Sequence, residues 1–384
     1  MPKRPKHIII ALFLLALAQC KDRYTSPYIS PSTGYLVVEG FISGNGATQF
    51  TLSRTIPLSG SDGLPKETNA VLQVEGDDNS TYNLKDLGNG VYGGDTLPLN
   101  PVAKYRLRIH TTADKDYLSD YVVFKQTPLI DSVNWAQGND GVDIFVNTHD
   151  ATNNTRYYQW EYKETWHYTA AKYSDGVFQK DKPWVVDRQP EDQIYNCWLN
   201  KISTAMLLGS SDKLSQDIIY RQLLTHIPQD AQQLSIKYSI LVHQYALTQV
   251  AYNYLTLMKK NSESLGSIFD AQPSDLKGNI HRLGDAREQV IGFISAGTAI
   301  GQRIFIDRTQ LTLPWRYSFE CTEKDSLISS DSAAIWDAFG SHALTPLEAH
   351  FSAGFFDGWT GNYTGCVDCR TQGGTTTRPS FWPN

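Results

Sequence analysis

The stretch YLVVEGFISGNGATQFTLSRTI, residues 35–56, decides the fold class. Two runs rich in β-branched and aromatic residues, 35–42 and 48–56, flank Ser43-Gly44-Asn45-Gly46. Side chains alternate between faces along a strand, and a Gly-Asn-Gly turn supplies the backbone freedom that a reversal needs. The pair therefore reads as two strands joined by a turn. The same pattern continues downstream. NAVLQVEGD (69–77) alternates apolar and polar residues and stops at GDDNS. STYNLKDLGNGVYGG holds another strand pair around Gly88-Asn89-Gly90, and AKYRLRIHTT (103–112) and DYLSDYVVFK (116–125) follow. Short strands with regular turn signals predict a β-sandwich of immunoglobulin-like or transthyretin-like type over residues 35–126.

Thr127-Pro128 marks a boundary. DSVNWAQ, GVDIFVNTHD and RYYQWEYKETWHYTA (156–170) open a second domain, 127–384, that resembles a fibronectin type III sandwich with Trp160 as its buried tryptophan. LSIKYSILVHQYAL (234–247), VIGFISAG (290–297) and GQRIFIDRT (301–309) supply its later strands, with long insertions between them. The expected architecture is thus mainly β, two sandwiches in tandem. Thr248 can cap a helix inserted over 248–262, where Val250, Ala251, Tyr254, Leu255 and Met258 share one face. DIIYRQLLTHI (217–227) fits strand or helix, and SDSAAIWDAF (330–339) predicts a second helix.

The chain starts MPKRPKHIIIALFLLALAQC. Basic Lys3, Arg4 and Lys6 precede an apolar run from Ile8 to Ala18. That run is about half the ~20 residues a membrane-crossing helix requires. Residues 1–19 therefore read as an export signal. Leu17-Ala18-Gln19-Cys20 resembles a bacterial lipobox, although Gln19 stands where a small residue is usual. Acyl chains on Cys20 would then hold the protein to a membrane, each buried methylene contributing about 0.8 kcal/mol. Residues 20–34, polar and with two prolines, read as a tether.

Lys+Arg number 34 against 40 Asp+Glu, and without Lys3, Arg4 and Lys6 the balance is 31 against 40, about −9. An acidic body excludes nucleic acid as a partner, because phosphate backbones need a basic footprint. Besides Cys20 the chain carries Cys197, Cys321, Cys366 and Cys369. An even number in an exported chain predicts disulfides, with three connectivities open. Cys366-Val-Asp-Cys369 lacks a second CxxC or a finger-spaced His for zinc. It also lacks the βαβ setting of a redox pair. It reads as a staple that pins the C-terminal tail to the body.

No HExxH, GxSxG or GxxxxGK[ST] motif is present, so no catalytic residue, metal site or cofactor is expected. Asp77-Asp78-Asn79 reads as a turn rather than a calcium loop. The segment LGSIFDAQPSDLKGNIH (265–281) reads as a long loop, and long ordered loops often carry function. It offers Asp270, Gln272, Asp275, Asn279 and His281. A binding surface is expected where these meet Trp160 and Trp166; the alternative is a loop that covers an edge strand.

The lipobox, YLVVEGFIS, YSILVHQYALTQVAYNYL, LGSIFDAQPSDLKGNIH, VIGFISAG and CVDCRTQGGTTTRPSFWPN together resemble a Bacteroidota family of outer-membrane lipoproteins. That family is known only as a numbered domain of unknown function (four-two-four-nine). The resemblance implies a lipid-anchored protein of the outer membrane, facing the cell surface or the periplasm. It also implies work beside a TonB-dependent receptor in capturing a small-molecule, peptide or glycan nutrient. It brings no catalytic residues. Adhesion or envelope structure is the alternative role, and an unrecognised hydrolase the third.

Overall fold

A computed structural model describes residues 34–56, 63–182, 184–263, 277–285, 287–319, 321–322 and 325–383. The expected signal, Cys20 and all but the last residue of the tether lie outside these residues. With 50% of residues in strands and 12% in helices, the chain is mainly β.

The N-terminal strands are β1 (Leu36–Ser43), β2 (Ala47–Arg54), β3 (Val71–Gly76), β4 (Thr81–Gly88), β5 (Val91–Thr96), β6 (Lys104–His110), β7 (Asp116–Ser119) and β8 (Val122–Lys125). Next come β9 (Ile130–Gln137), β10 (Gly141–Asp150), β11 (Tyr157–Thr169), β12 (Gly176–Gln179) and β13 (Trp184–Asp187). They are followed by β14 (Asn196–Ile202), β15 (Leu207–Ser210), β16 (Asp217–Pro228) and β17 (Lys237–Leu247). Helix α1 (Gln249–Glu263) leads to the short strands β18 (Ile280–Arg282), β19 (Val290–Ile291) and β20 (Ala296–Gly297), then β21 (Ala299–Asp307). The last elements needed here are β22 (Ser326–Ser329), helix α2 (Ser332–Phe339), β23 (Leu344–Ser352) and β24 (Phe355–Tyr363).

The first unit keeps the expected strands but closes on itself. Hydrogen bonding runs β1-β2-β5-β4-β3-β6-β8-β20 and back to β1, a ring of eight strands. Period-two alternation puts Leu36, Val38, Phe50, Leu52, Leu72 and Val74 into its core. Each such side chain contributes about 1.5–3 kcal/mol when fully buried. At the GDDNS turn, Asp78 Oδ1 accepts from the Ser80 backbone N–H at 3.1 Å and from its hydroxyl at 2.6 Å, so the carboxylate closes the turn.

Closure corrects two expectations. VIGFISAG does not belong to the second unit: β19 pairs in parallel with β1, and β20 lies between β1 and β8. Val290, Ile294 and Ala296 are buried in the ring's core. Gly292 makes the approach possible, since a Cβ there would stand 2.3 Å from the Val38 carbonyl oxygen. The boundary drawn at 126/127 therefore divides the sequence but not the space, because β18 to β20 complete the first unit.

In the second unit, one sheet has the order β16-β10-β9 and the other β14-β11-β17-β21, with β15 beside β11. Both contribute to one core around Trp160, including Val142 and Ile144 from β10 and Ile240 and Val242 from β17. The ambiguous DIIYRQLLTHI is strand β16. Register shifts opposite Ile144/Phe145 and Val146/Thr148 break its alternation, which is why its sequence shows no clean period. Helix α1 starts where expected: the Thr248 hydroxyl accepts from the Ala251 N–H at 3.2 Å. Among the described residues, no helix is long and apolar enough to cross a membrane.

A third, small unit combines the β12–β13 hairpin, the sheet β22-β24-β23 and α2 around Val185, Ile335, Phe339 and Trp359. Two disulfides join it to the rest: Cys197–Cys369 and Cys321–Cys366. The two cysteines of CVDC thus staple separate places, and the following tail bridges β14 through reciprocal Trp198 and Thr375 hydrogen bonds of 2.8 and 2.9 Å.

Candidate functional site

The sheet β14-β11-β17-β21 turns one face to the Trp160 core and the other outward. On the outward face Gln159 stands opposite Tyr245, and Glu161 opposite His243, which in turn faces Gly301. Both ends of this face are covered. At one end β1 of the ring arrives, with Phe41 edge-on to Tyr245 at 5.2 Å, and α1 lays Tyr252 against Tyr157 at 5.0 Å. At the other end lies the C-terminal tail, with Trp382 edge-on to Phe305 at 5.5 Å and Arg303 over the Phe381 ring at 3.6 Å.

The uncovered middle is the floor of a cleft of about 700 Å³. Glu39 and Gln49 of the ring form a second wall, Leu255 and Met258 of α1 a third, and Phe293 of the strap between β19 and β20 contributes beside them. That volume lies within the ~300–1,000 Å³ typical of small-ligand sites. Gly301 opens the floor, since a side chain there would point into the space.

The walls are held by paired polar groups. Asn45, in the turn of the first hairpin, clamps β21: its amide donates to the Ala299 carbonyl at 2.8 Å and its oxygen accepts from the Ala299 N–H at 2.9 Å. At the junction of the units the Thr127 N–H donates to the Thr298 hydroxyl at 2.9 Å. The Thr127 hydroxyl donates to the Thr298 carbonyl and accepts from the Ala246 N–H at 3.0 Å. Buried Gln244 accepts from the Trp160 indole at 2.8 Å and donates to the Pro128 carbonyl at 3.0 Å and the Thr148 hydroxyl at 2.9 Å. Unpaired, the buried Thr127 and Gln244 groups would each cost free energy; paired, and with the exposed Asn45 clamp, they fix the two units against each other. The Tyr254 hydroxyl accepts from the Gly292 N–H at 3.0 Å and so ties α1 to the strap.

Electrostatically the floor is unusual. Water reaches Glu161 through the cleft, yet protein surrounds it, and this burial pushes its carboxyl above the usual range against the Tyr245 hydroxyl and Lys163, which favour the carboxylate. Burial pushes the Tyr245 phenol up as well, with the Glu161 charge adding to the effect. His243 is held below its ordinary value by burial and by Lys163 and Arg303, so its imidazole is neutral at pH 7. Such a floor can donate and accept hydrogen bonds and present negative charge. Among the described residues, no cluster of three His, Cys, Asp or Glu side chains is placed to hold a metal.

The family description "Domain of unknown function (DUF4249)" matches residues 23–303. The chain belongs to this family. The matched segment of this DUF4249 chain contains every residue that lines the cleft, whereas β22 to β24 and the stapled tail lie beyond it. No curated protein matches. Among solved structures, the crystal structure of the chicken CNTN1 FN1-FN3 domains is similar at 12% identity and a TM-score of 0.19, covering 56% of this chain and 62% of that one. The match spans less than two thirds of that chain's length.

Among the described residues of this DUF4249 chain, Trp160, Trp166, Asn279 and His281, expected to form a binding surface, stand apart and form no common surface. Trp160 and Trp166 are buried, their indoles donating to Gln244 and Gln232 at 2.8 Å each. They point inward because their positions on β11 share the parity of its core face. Asn279 is buried and structural, bracketing the Ile294 backbone at 2.8 and 3.0 Å. His281 stands on β18 opposite Leu118, its imidazole 3.3 Å from Asp120. Asp270, Gln272 and Asp275 lie outside the described residues. The cleft residues Gln159 and Glu161 flank Trp160 in sequence. Their signal was the alternation itself, in which polar residues between buried aromatics mark the other face of the strand.

Proposed function

We propose that this chain is a non-enzymatic binding protein that takes a small ligand in the cleft between its ring and its second unit. The observation that carries this is the cleft: a concave space floored by an otherwise covered sheet face, with walls fixed by Asn45, Thr127 and Gln244. A rigid site avoids the ordering cost of assembling walls around a ligand. The absence of any recognisable nucleophile or metal motif from the sequence favours binding over hydrolysis.

The reading extends to place and partner. The basic residues, short apolar run and Cys20 support a lipid anchor at the outer membrane, facing the surface or the periplasm, and the tether supports a body held close to it. Proximity to a TonB-dependent receptor would raise the effective concentration of captured nutrient at the receptor's mouth. The finer reading of the second unit is a fibronectin type III-like sandwich, supported by two antiparallel sheets sharing the Trp160 core. The first unit is an immunoglobulin- or transthyretin-like sandwich whose edges are bridged by β20.

The test is a mild-detergent pull-down of the full-length native protein with mass spectrometry. A stoichiometric TonB-dependent receptor, together with loss of one nutrient's uptake on deletion, is expected. Recovery of the protein alone, with normal uptake and altered attachment, would shift the role to adhesion or envelope structure.

A further inference from the structure

The cleft is one-sided in charge. Glu39 and Glu161 line it with His243, and none of its lining residues is Lys or Arg. The carboxylates come from different walls, one from β1 and one from β11. Among the described residues, the donors to Glu161 are neutral: the Gln159 amide at 3.3 Å and the Tyr245 hydroxyl at 3.4 Å. Lys163, outside the lining, favours the carboxylate, but burial outweighs it and leaves this carboxyl above its usual range. A carboxylate that water reaches only through a cleft gains from an opposite charge brought to it there. His243, held neutral, does not provide one.

Aromatic rings stand beside this charge. Phe41 and Tyr245 meet at 5.2 Å, and Tyr254 and Phe293 at 5.3 Å, and all four line the cleft. Ring faces attract cations as well as apolar surface. Leu255 and Met258 complete an apolar wall, and methionine adapts to varied shapes. An anionic ligand would meet two carboxylates and no cation in the lining. A neutral ligand would displace water from Glu161 without bringing a charge in its place.

We propose that the ligand of this cleft is an organic cation, an ammonium group on an apolar body, its charge met by Glu161 and Glu39 and its body lying against the aromatic wall. This rests on the binding reading above and adds the class of ligand. A free amine and the lysine side chain of a peptide share this chemistry.

The experiment is isothermal titration of the full chain at low salt with three probes of one shape: 3-phenylpropylammonium, 3-phenylpropanol and 3-phenylpropionate. The ammonium is expected to bind at least tenfold more tightly than the alcohol, with no heat from the carboxylate. Glu161→Gln should cost the ammonium about tenfold and leave the alcohol unchanged, and Gly301→Trp should abolish binding. The peptide Ala-Lys-Ala separates the sources: binding as tight as the free amine assigns peptides, and weaker binding assigns small amines. Equal affinity for amine and alcohol, preference for the carboxylate, or no binding of the ammonium overturns the proposal. If Gly301→Trp removes a bound neutral molecule, the cationic class fails and the cleft stands. If ammonium binding survives Gly301→Trp, the cleft itself fails.

Discussion

Gln244→Leu removes the side chain that joins the Trp160 core to the unit junction. Leucine is close to glutamine in size, so the change is mainly one of polarity. Three hydrogen bonds are lost: from the Trp160 indole, to the Pro128 carbonyl and to the Thr148 hydroxyl. The Thr148 hydroxyl still donates to the Leu129 carbonyl at 2.9 Å, so it is not orphaned. Two groups are left without a partner, the indole N–H and the Pro128 carbonyl. An unsatisfied buried group costs about 1–3 kcal/mol, so the expected loss is about 4 kcal/mol. Urea unfolding followed by tryptophan fluorescence, with the disulfides intact, measures it. Thr148→Val is the comparison: it frees the carbonyl of exposed Leu129, which water can satisfy, and strands only one buried Gln244 hydrogen, so it should cost less, about 2 kcal/mol. A loss under about 1 kcal/mol for Gln244→Leu would refute the reasoning, because the network would then not be bearing on stability.

The disulfides should differ in weight. Cys197–Cys369 closes a separation of 172 residues and Cys321–Cys366 one of 45. Chain entropy gives about 5 and about 4 kcal/mol, so paired Cys→Ala variants should lower the urea midpoint in that order; the reverse order would show that native packing, not loop closure, sets the effect. Glu164 is buried, and burial raises its carboxyl above the ordinary 4.5, although the Tyr238 hydroxyl donates to it at 2.8 Å and Lys201 lies near. The folded chain then holds this proton more tightly than the unfolded chain. Stability from this group is therefore present at low pH and lost as pH rises from about 4.5 through the raised value. Melting curves of wild type and Glu164→Gln should diverge over that window in favour of the variant at neutral pH, and a pH-independent difference would contradict it.

The strands that form local hairpins were legible because alternation and turn residues are both local. β1 and β2 around Gly44-Asn45-Gly46, β11, β17 and the Thr248-capped helix all stand within three residues of expectation. β19 and β20 were legible as extended and apolar, but not as parts of the ring. A parallel partner is reached by no turn, so nothing adjacent in sequence names it. β16 was obscured by the register shifts along β10. The staple role of Cys366 and Cys369 could be read from composition and setting, whereas their partners depend on where the tail is brought. The candidate site was missed for a related reason. Tryptophans drew the reading to Trp160 and Trp166, yet large aromatics on a strand mark its core face. The cleft belongs to the quieter positions between them, and its other walls arrive only when the ring and α1 fold over the sheet.

The central claim is that the cleft between the units holds a ligand, and Gly301 gives the most direct test of it. A Cβ at this position would sit 3.5 Å from the His243 ring, an ordinary contact, so Gly301→Trp can fill the cleft without disturbing the sheet. The measurement is native mass spectrometry of wild type and Gly301→Trp purified from the same cell envelopes, with melting temperatures taken in parallel. The account predicts one small molecule per wild-type chain, absent from a Gly301→Trp chain that melts at the same temperature. No bound molecule on the wild type, or the same molecule on both, would contradict it.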